Sequence, residues 1–441
     1  MEGALKPDSV STKQERIASL ARSNREMALT SLNHYIDYEW MHYAYECTRK
    51  DGAVGVDGQT AQEYEVKLQE NLLSLIDRLK SGRYQAPPVR RHYIAKADGG
   101  QRGLGIPSLE DKVAQRAIVM LLEPIYEQDF FAGSYGFRPG HSAHQALQAV
   151  RAGVMEQRGR WVLDVDIRKF FDSIDRTRLR EFLAKRVTDG VVRRLIDKWL
   201  NAGVLKEGQM HYPDKGTPQG GVVSPCLAKI FLHYVLDEWY STQVVARLKG
   251  QSTLVRYCDD FVMIFEYKDD ADRVYAVLGK RLEKYGLQLH PDKTRLVDFR
   301  DRTPRNQRQM FAKTFNFLGF THVRVLSRNG KCAIMLQKTA KDRLAHSLDA
   351  FNQQCRRMRH WQLREQYERL CRMLRGHYAY YGITGNADSL SSLHHAVLRL
   401  WHKWLSRRSR QKSYLCWEAF GQVLQAFPLP KPMIVHRYVR T

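Results

Sequence analysis

The chain has 441 residues, more than one compact core organises, so two or three domains are expected. Its 71 lysines and arginines against 47 aspartates and glutamates give a formal net charge of +24, which predicts a polyanionic partner and points first to nucleic acid. No run of about 18 apolar residues offers a membrane span, Met1 to Lys13 lacks a signal-peptide core, and seven cysteines without a CxxC pair suggest neither a disulfide framework nor a structural zinc site, so a reduced, cytoplasmic protein is expected.

In chain order, residues 1–50 read as helical, polar at first and then aromatic through Tyr35, Tyr38, Trp40, Tyr43 and Tyr45. Gly55-Val56-Asp57-Gly58 is a turn. Residues 60–80 resume a helical pattern, with Leu68, Leu72, Leu75, Ile76 and Leu79 on one face. Pro87-Pro88 opens a strand from Val89 to Ala95. Asp98-Gly99-Gly100 signals a hairpin turn, and a second strand runs from Gln101 to Ile106. Ser142 and Gln145 form a capping box before a helix. Trp161 to Ile167 alternates as a strand, 175–200 and 271–285 are helical, and Leu254 to Phe265 is a hairpin turning near Cys258-Asp259. To about residue 300 the fold class is therefore α+β. Beyond Lys338 three helical stripes follow: Leu344, Leu348, Phe351, Cys355 and Met358; Tyr367, Leu370, Leu374 and Tyr378; Leu393, Val397, Leu400 and Trp404. Residues 338–376 hold ten Lys or Arg against four acids, and 395–441 nine against one, so positive charge gathers towards the C-terminus.

Two segments carry chemistry. In the first, Trp161 to Asp172, strand alternation turns Trp161, Leu163, Val165 and Ile167 one way and Asp164 and Asp166 the other. In the second, Asp259 and Asp260 sit at a hairpin tip. Confined like charges raise one another's pKa, and divalent cations remove that penalty. Acids from two strands are a sufficient cage for two Mg²⁺ ions that activate a 3′-hydroxyl and stabilise leaving pyrophosphate. The alternative is that these acids cap turns or pair with the many cations.

Tyr257-Cys258-Asp259-Asp260 between β-formers resembles the YxDD box of reverse transcriptases, and Asp166-Ile167-Arg168-Lys169-Phe170-Phe171 resembles their preceding acidic motif. Further segments fall in the order of group II intron-encoded enzymes: Gly55 to Gly58 resembles the N-terminal extension, Lys96 to Pro107 the fingers hairpin, Ser134 to Ser142 the block after it, and Gly216 to Gly221 with Ser224-Pro225 the PQG box. Leu287 to Thr294 is similar to the block after the catalytic hairpin, and Phe315 to Phe320 to the primer grip. Leu374 to Gly382, Trp401 to Arg408 and Phe427 to Pro432 are similar to the maturase, or X, domain.

The resemblance implies a right-hand polymerase: an N-terminal extension (1–85), fingers and palm (86–305), an all-α thumb/X domain (306–395) and a basic nucleic-acid-binding tail (396–441). It implies an RNA-directed DNA polymerase with Asp166, Asp259 and Asp260 as ligands of Mg²⁺, Mn²⁺ being possible, and Lys293 as general acid. Lys96 and Arg102 would grip the incoming dNTP, Phe171 would lie beneath its sugar, and Gln219 and Gly220 would let the backbone approach template and nucleotide. For Phe171 plain core packing, and for Lys293 a surface role, remain open. The implied partners are an RNA template, group II intron RNA in particular, a DNA or RNA primer and dNTPs. Cys258 stands where Ala is common, Gly103 where Pro is common, and Lys229 where Asn is usual. Arg407, Arg408, Arg410 and Lys412 lie near Trp401, Trp404 and Trp417, a composition suited to backbone contact with stacking. No Cys/His-rich endonuclease is expected, so the primer would be borrowed. A free-standing enzyme of repair or phage defence, and a non-catalytic RNA-binding maturase, are the competing readings.

Overall fold

The computed structural model describes residues 7–95, 100–206, 209–212, 215–217, 220–300, 313–327, 332–408 and 415–438. Helices α1 (Pro7–Ser23), α2 (Tyr38–Glu46), α3 (Ala61–Glu65) and α4 (Leu68–Ser81) precede the hairpin β1 (Val89–Ala95) and β2 (Gln101–Ile106). Then come α5 (Leu109–Tyr126), α6 (Ala143–Met155), β3 (Trp161–Val165), α7 (Phe170–Ser173), α8 (Arg176–Ala184), α9 (Gly190–Asn201), β4 (Val204–Lys206) and β5 (Gln209–His211). They are followed by α10 (Ser224–Leu232), β6 (Ser252–Tyr257), β7 (Asp260–Phe265), α11 (Lys268–Glu283) and β8 (Arg295–Asp298). The rest comprises β9 (Phe315–Phe317), β10 (Phe320–Leu326), β11 (Ala333–Thr339), α12 (Lys341–Arg357), α13 (Leu363–Tyr381), α14 (Ala387–Leu405) and α15 (Trp417–Ala426).

Local chemistry fixes many of these ends. Asp37 caps α2 by accepting from Trp40 N, and Thr60 with Glu63 forms a capping box at α3. The expected Ser142–Gln145 box starts α6. Gly82, at φ 80°, closes α4 in the left-handed region. The stretch expected as one helix over 175–200 is two: Asp189 accepts from Val191 N and Val192 N and restarts the chain as α9. The strands expected at 89–95 and 101–106 have those bounds.

Among the described residues three sheets form, ordered β2-β1-β4-β5, β6-β7-β3-β8 and β11-β10-β9. The middle one is antiparallel throughout and buries both faces. One face carries Trp161, Leu163, Val165, Phe261, Met263 and Phe265 into a core shared with α1, α2, α4, α5 and α8 to α11. The other carries Val162, Val255, Val262 and Ile264 against α6 and the β9–β11 sheet. α5 escaped the sequence reading because Val113, Ala114, Ala117, Ile118, Val119, Leu121 and Leu122 are apolar all round it, which leaves no amphipathic stripe. It is the buried axis of the first core.

Helices α12 to α15 have a third core of Phe351, Leu370, Leu374, Leu393, Val397, Trp401, Leu405 and Phe420. Two expected boundaries meet continuous structure. The division at 395/396 falls inside α14, whose apolar stripe runs on through Leu405. The segment expected as an extension, 1–85, shares the first core with residues as distant as Leu287. All seven cysteines are free, four of them buried. Among the described residues no helix is long and apolar enough to cross a membrane.

Candidate active site at the β3 and β6–β7 strand ends

Antiparallel register brings the two acidic segments together. Asp164 lies opposite Val262 and Val165 opposite Phe261, so one further step sets Asp166 beside Asp260, on strands about 4.8 Å apart. Side-chain alternation puts Asp164, Asp166 and Asp260 on the same face of the sheet. Tyr257 pairs with Asp260, which makes Cys258-Asp259 a two-residue turn. Cys258 has φ 63°, the left-handed value such a turn requires at its first position. Both Cys258 and its turn were expected at this place.

The chain after α11 straps Asp166. His290 N donates to the Asp166 carbonyl at 2.8 Å, and the Thr294 hydroxyl donates to the same oxygen at 3.3 Å. This strap delivers Lys293, whose Nζ lies 3.2 Å from Asp166 Oδ2. The neighbouring Asp164 is paired with Arg295 of β8, Nε to Oδ2 3.4 Å.

The electrostatics are those of crowded carboxylates. Asp260 keeps an open path to solvent, yet its carboxyl is pushed up to about 8. Crowding by protein is the first cause, followed by the charges of Asp164, Asp259 and Asp166, with Arg343 opposing. Asp164 rises to about 6 through burial, against the pull of Arg295. Among the described residues no three His, Cys, Asp or Glu side chains converge as a ready-made metal cage. The donor set nonetheless fits a hard divalent cation: oxygen ligands only, from acids whose mutual repulsion a bound charge of +2 would relieve.

Phe171 is nearly fully buried at the start of α7, edge-on to Phe170 at 5.3 Å, and its carbonyl accepts from Thr217 N at 2.9 Å. It thus supports the entry to the Gly216–Gly221 box. Gly220 has φ 115°, and a Cβ there would lie 2.5 Å from the Gly105 carbonyl oxygen. The close approach it permits is to β2. Arg102 lies on β2 opposite Ile94. Lys96 and Gln219, and with them Arg410 and Lys412, fall outside the described residues. Lys229, at the place where Asn is usual, is fully buried with its ammonium on the Phe137 carbonyl and over the Phe130 ring.

Three residues join the site that the sequence did not single out. Arg295 offsets Asp164; the alternation of 164 and 166 had placed both acids on one face, but nothing local announced the cation. Arg343 of α12 opposes the rise at Asp260 by its charge. Tyr380 of α13, which feels the charge of Asp260, donates to the Leu318 carbonyl at 2.8 Å, in the tight turn between β9 and β10. The last two lie far along the chain from the acids, so only packing could reveal them.

The sequence pattern of the family described as "Reverse transcriptase (RNA-dependent DNA polymerase)" matches residues 94–322, which contain every acid of this site. The chain is 33% identical over 362 residues to Protein YkfC of Escherichia coli strain K12, spanning 74% of this chain and 91% of that protein. It is 38% identical over 225 residues to the group II intron-encoded protein LtrA of Lactococcus lactis subsp. cremoris, 50% of this chain and 37% of LtrA. It is 43% identical over 165 residues to the uncharacterized 91 kDa protein in the cob intron of Schizosaccharomyces pombe, 37% of this chain and 20% of that protein.

Proposed function

The chain belongs to the reverse transcriptase family, in its group II intron-encoded branch, and is an RNA-directed DNA polymerase; we propose that its reaction centre is the face carrying Asp166, Asp259 and Asp260. The observation that carries this reading is the strand register, which sets acids from two remote segments side by side. Members of this family use divalent metal ions and bind an RNA template.

In the proposed reaction a primer 3′-oxygen forms a bond to the α-phosphorus of a dNTP while the bond to the β-phosphate oxygen breaks and pyrophosphate leaves. Two Mg²⁺ ions, or Mn²⁺, held by the three aspartates would supply Lewis-acid activation and charge neutralisation. Lys293, whose Nζ stands beside Asp166, is the candidate proton donor to pyrophosphate. Lys96 and Arg102 are the groups proposed to grip the triphosphate, arginine being suited to it by a planar fork that matches phosphate oxygens. Phe171 would lie beneath the sugar, and Gln219 and Gly220 would let the backbone approach template and nucleotide. In right-hand terms the two hairpin-bearing sheets are fingers and palm, and α12 to α15 the thumb.

The test is primer extension on poly(rA)/oligo(dT). Wild type should extend in Mg²⁺, and Asp259→Ala should not. Equal extension by the two proteins would remove these acids from the mechanism.

A second activity is proposed for the helical unit: binding group II intron RNA and aiding its splicing. Its support is a closed apolar core beneath exposed cations, Arg372, Arg375 and Arg399 among them. Splicing of a group II intron RNA, with and without the protein, tests it; unchanged splicing with the intron from the gene's own locus would defeat it.

A further inference from the structure

Beneath the catalytic turn lies an ion pair that the chemistry above does not use. Arg256, on β6, and Asp237 have fully buried side chains. The Arg256 Nε donates to Asp237 Oδ1 at 2.8 Å and its Nη2 to Oδ2, a bidentate fork. The remaining terminal nitrogen, Nη1, donates to the Cys258 carbonyl at 3.0 Å. Asp237 closes a π-helical turn, His233–Asp237, that continues α10. The backbone of Arg256 is gripped as well: its N donates to the Gly133 carbonyl and its carbonyl accepts from Tyr135 N, both at 2.8 Å. Gly136 then presses on the turn, where a Cβ would lie 2.4 Å from Cys258 N.

Two physical points give this arrangement meaning. A buried ion pair is a poor source of stability, since apolar replacements of similar volume are often neutral or better. A non-glycine residue in the left-handed region holds there only when its surroundings over-determine it. The third N–H of the fork is aimed at that residue. We propose that Arg256 and Asp237 are positioning residues whose buried pair fixes the Cys258 turn and thereby the placement of Asp259 and Asp260. Arginine is required because one planar group must serve Asp237 twice and the turn once; a lysine ammonium cannot do so.

The inference rests on Asp259 and Asp260 being the reacting acids. Its test uses the full chain and two variants. Arg256→Lys keeps the charge opposite Asp237 but loses the fork. The double variant Arg256→Met/Asp237→Leu removes both charges and leaves none unpaired. Expected are melting temperatures near wild type for the double variant and a kcat on poly(rA)/oligo(dT) lower by about 10²-fold in both, as for a misplacement of about 1 Å. The KM for dTTP should stay within about twofold, because nucleotide binding is not what the brace controls. Amide hydrogen exchange at residues 257–260 should quicken by about tenfold or more in the free protein. Wild-type kcat in either folded variant, or unchanged exchange at the tip, overturns the proposal. Unfolding of both variants would assign the pair to stability alone and overturn it too. Asp259→Ala separates this from the site assignment: full activity there refutes the acids, while tip exchange in the Arg256 variants still reports on the brace.

Discussion

In the β6-β7-β3-β8 sheet charge is taken inside. Arg256 and Asp237 are buried together, Asp164 is held by Arg295, and Asp260 shares its face with two further acids. In α12 to α15 the interior is apolar, built on Phe351, Leu374, Trp401 and Phe420, while Arg372 and Arg375 remain exposed. On the proposed reading the contrast separates two uses of charge. Reacting groups must be held to a fraction of an ångström, which demands a rigid, register-locked backbone and tolerates the cost of burial. Groups that grip a polyanion need only face water in sufficient number, so any exposed helix face serves. The β9–β11 sheet joins the regions: Thr339 N donates to Asn386 Oδ1 at 2.9 Å, and Tyr380 reaches the Leu318 turn.

The strongest test of the contrast is Asp260→Asn, which keeps shape and removes charge. Primer extension should fall by at least about 10³-fold, equivalent to several kcal/mol of barrier. Template–primer affinity in a filter-binding assay should barely change. Next, Trp401→Ala empties the third core and removes the hydrogen bond to Gln366 Oε1. A loss of about 3–5 kcal/mol is expected in urea denaturation. Exchange protection should drop across α12–α15 and persist in β3 and β7; equal loss in both would show that the regions unfold as one.

Lys293→Ala should lower kcat about 10²-fold with little change in dNTP KM. A normal rate would return Lys293 to the surface role left open by the sequence. The seam offers a pH test. His322 is wholly buried, stacked on Phe315 at 4.5 Å, and burial lowers its pKa to about 3. The unfolded chain therefore binds the proton more readily. This stabilising contribution is present above pH 6.5 and is lost as pH falls from there towards 3, by about 1.4 kcal/mol per unit. Urea midpoints at pH 7 and pH 5.5 should reveal it, and His322→Phe should flatten the dependence by that amount. The smallest effect belongs to the exposed cations. Arg372→Ala and Arg375→Ala should each weaken template binding a few-fold and lower the salt slope by about 0.7–1. An unchanged slope would place the nucleic acid elsewhere.

The sequence displayed what is local. Alternation gave β3 and its two acids on one face; the Asp98-Gly99-Gly100 signal and the Cys258-Asp259 turn gave both hairpins; i,i+4 stripes gave α12 to α14. It missed α5, because a helix buried on every side has no polar face to mark its period. The division that the resemblance implied at 395/396 falls inside a helix whose inner apolar stripe runs on unbroken.

What the chain order alone determined, then, was the chemical vocabulary: which acids stand on one strand face, which turn, which family of enzymes. Only the tertiary structure decided how Asp166 meets Asp260, why Arg295 stands by Asp164, and that Arg256 reaches past its own strand to the Cys258 carbonyl. Those relations depend on strand register and helix packing between segments far apart. Hydrophobic burial on both faces of one sheet fixes them, and no periodicity within a single segment encodes them.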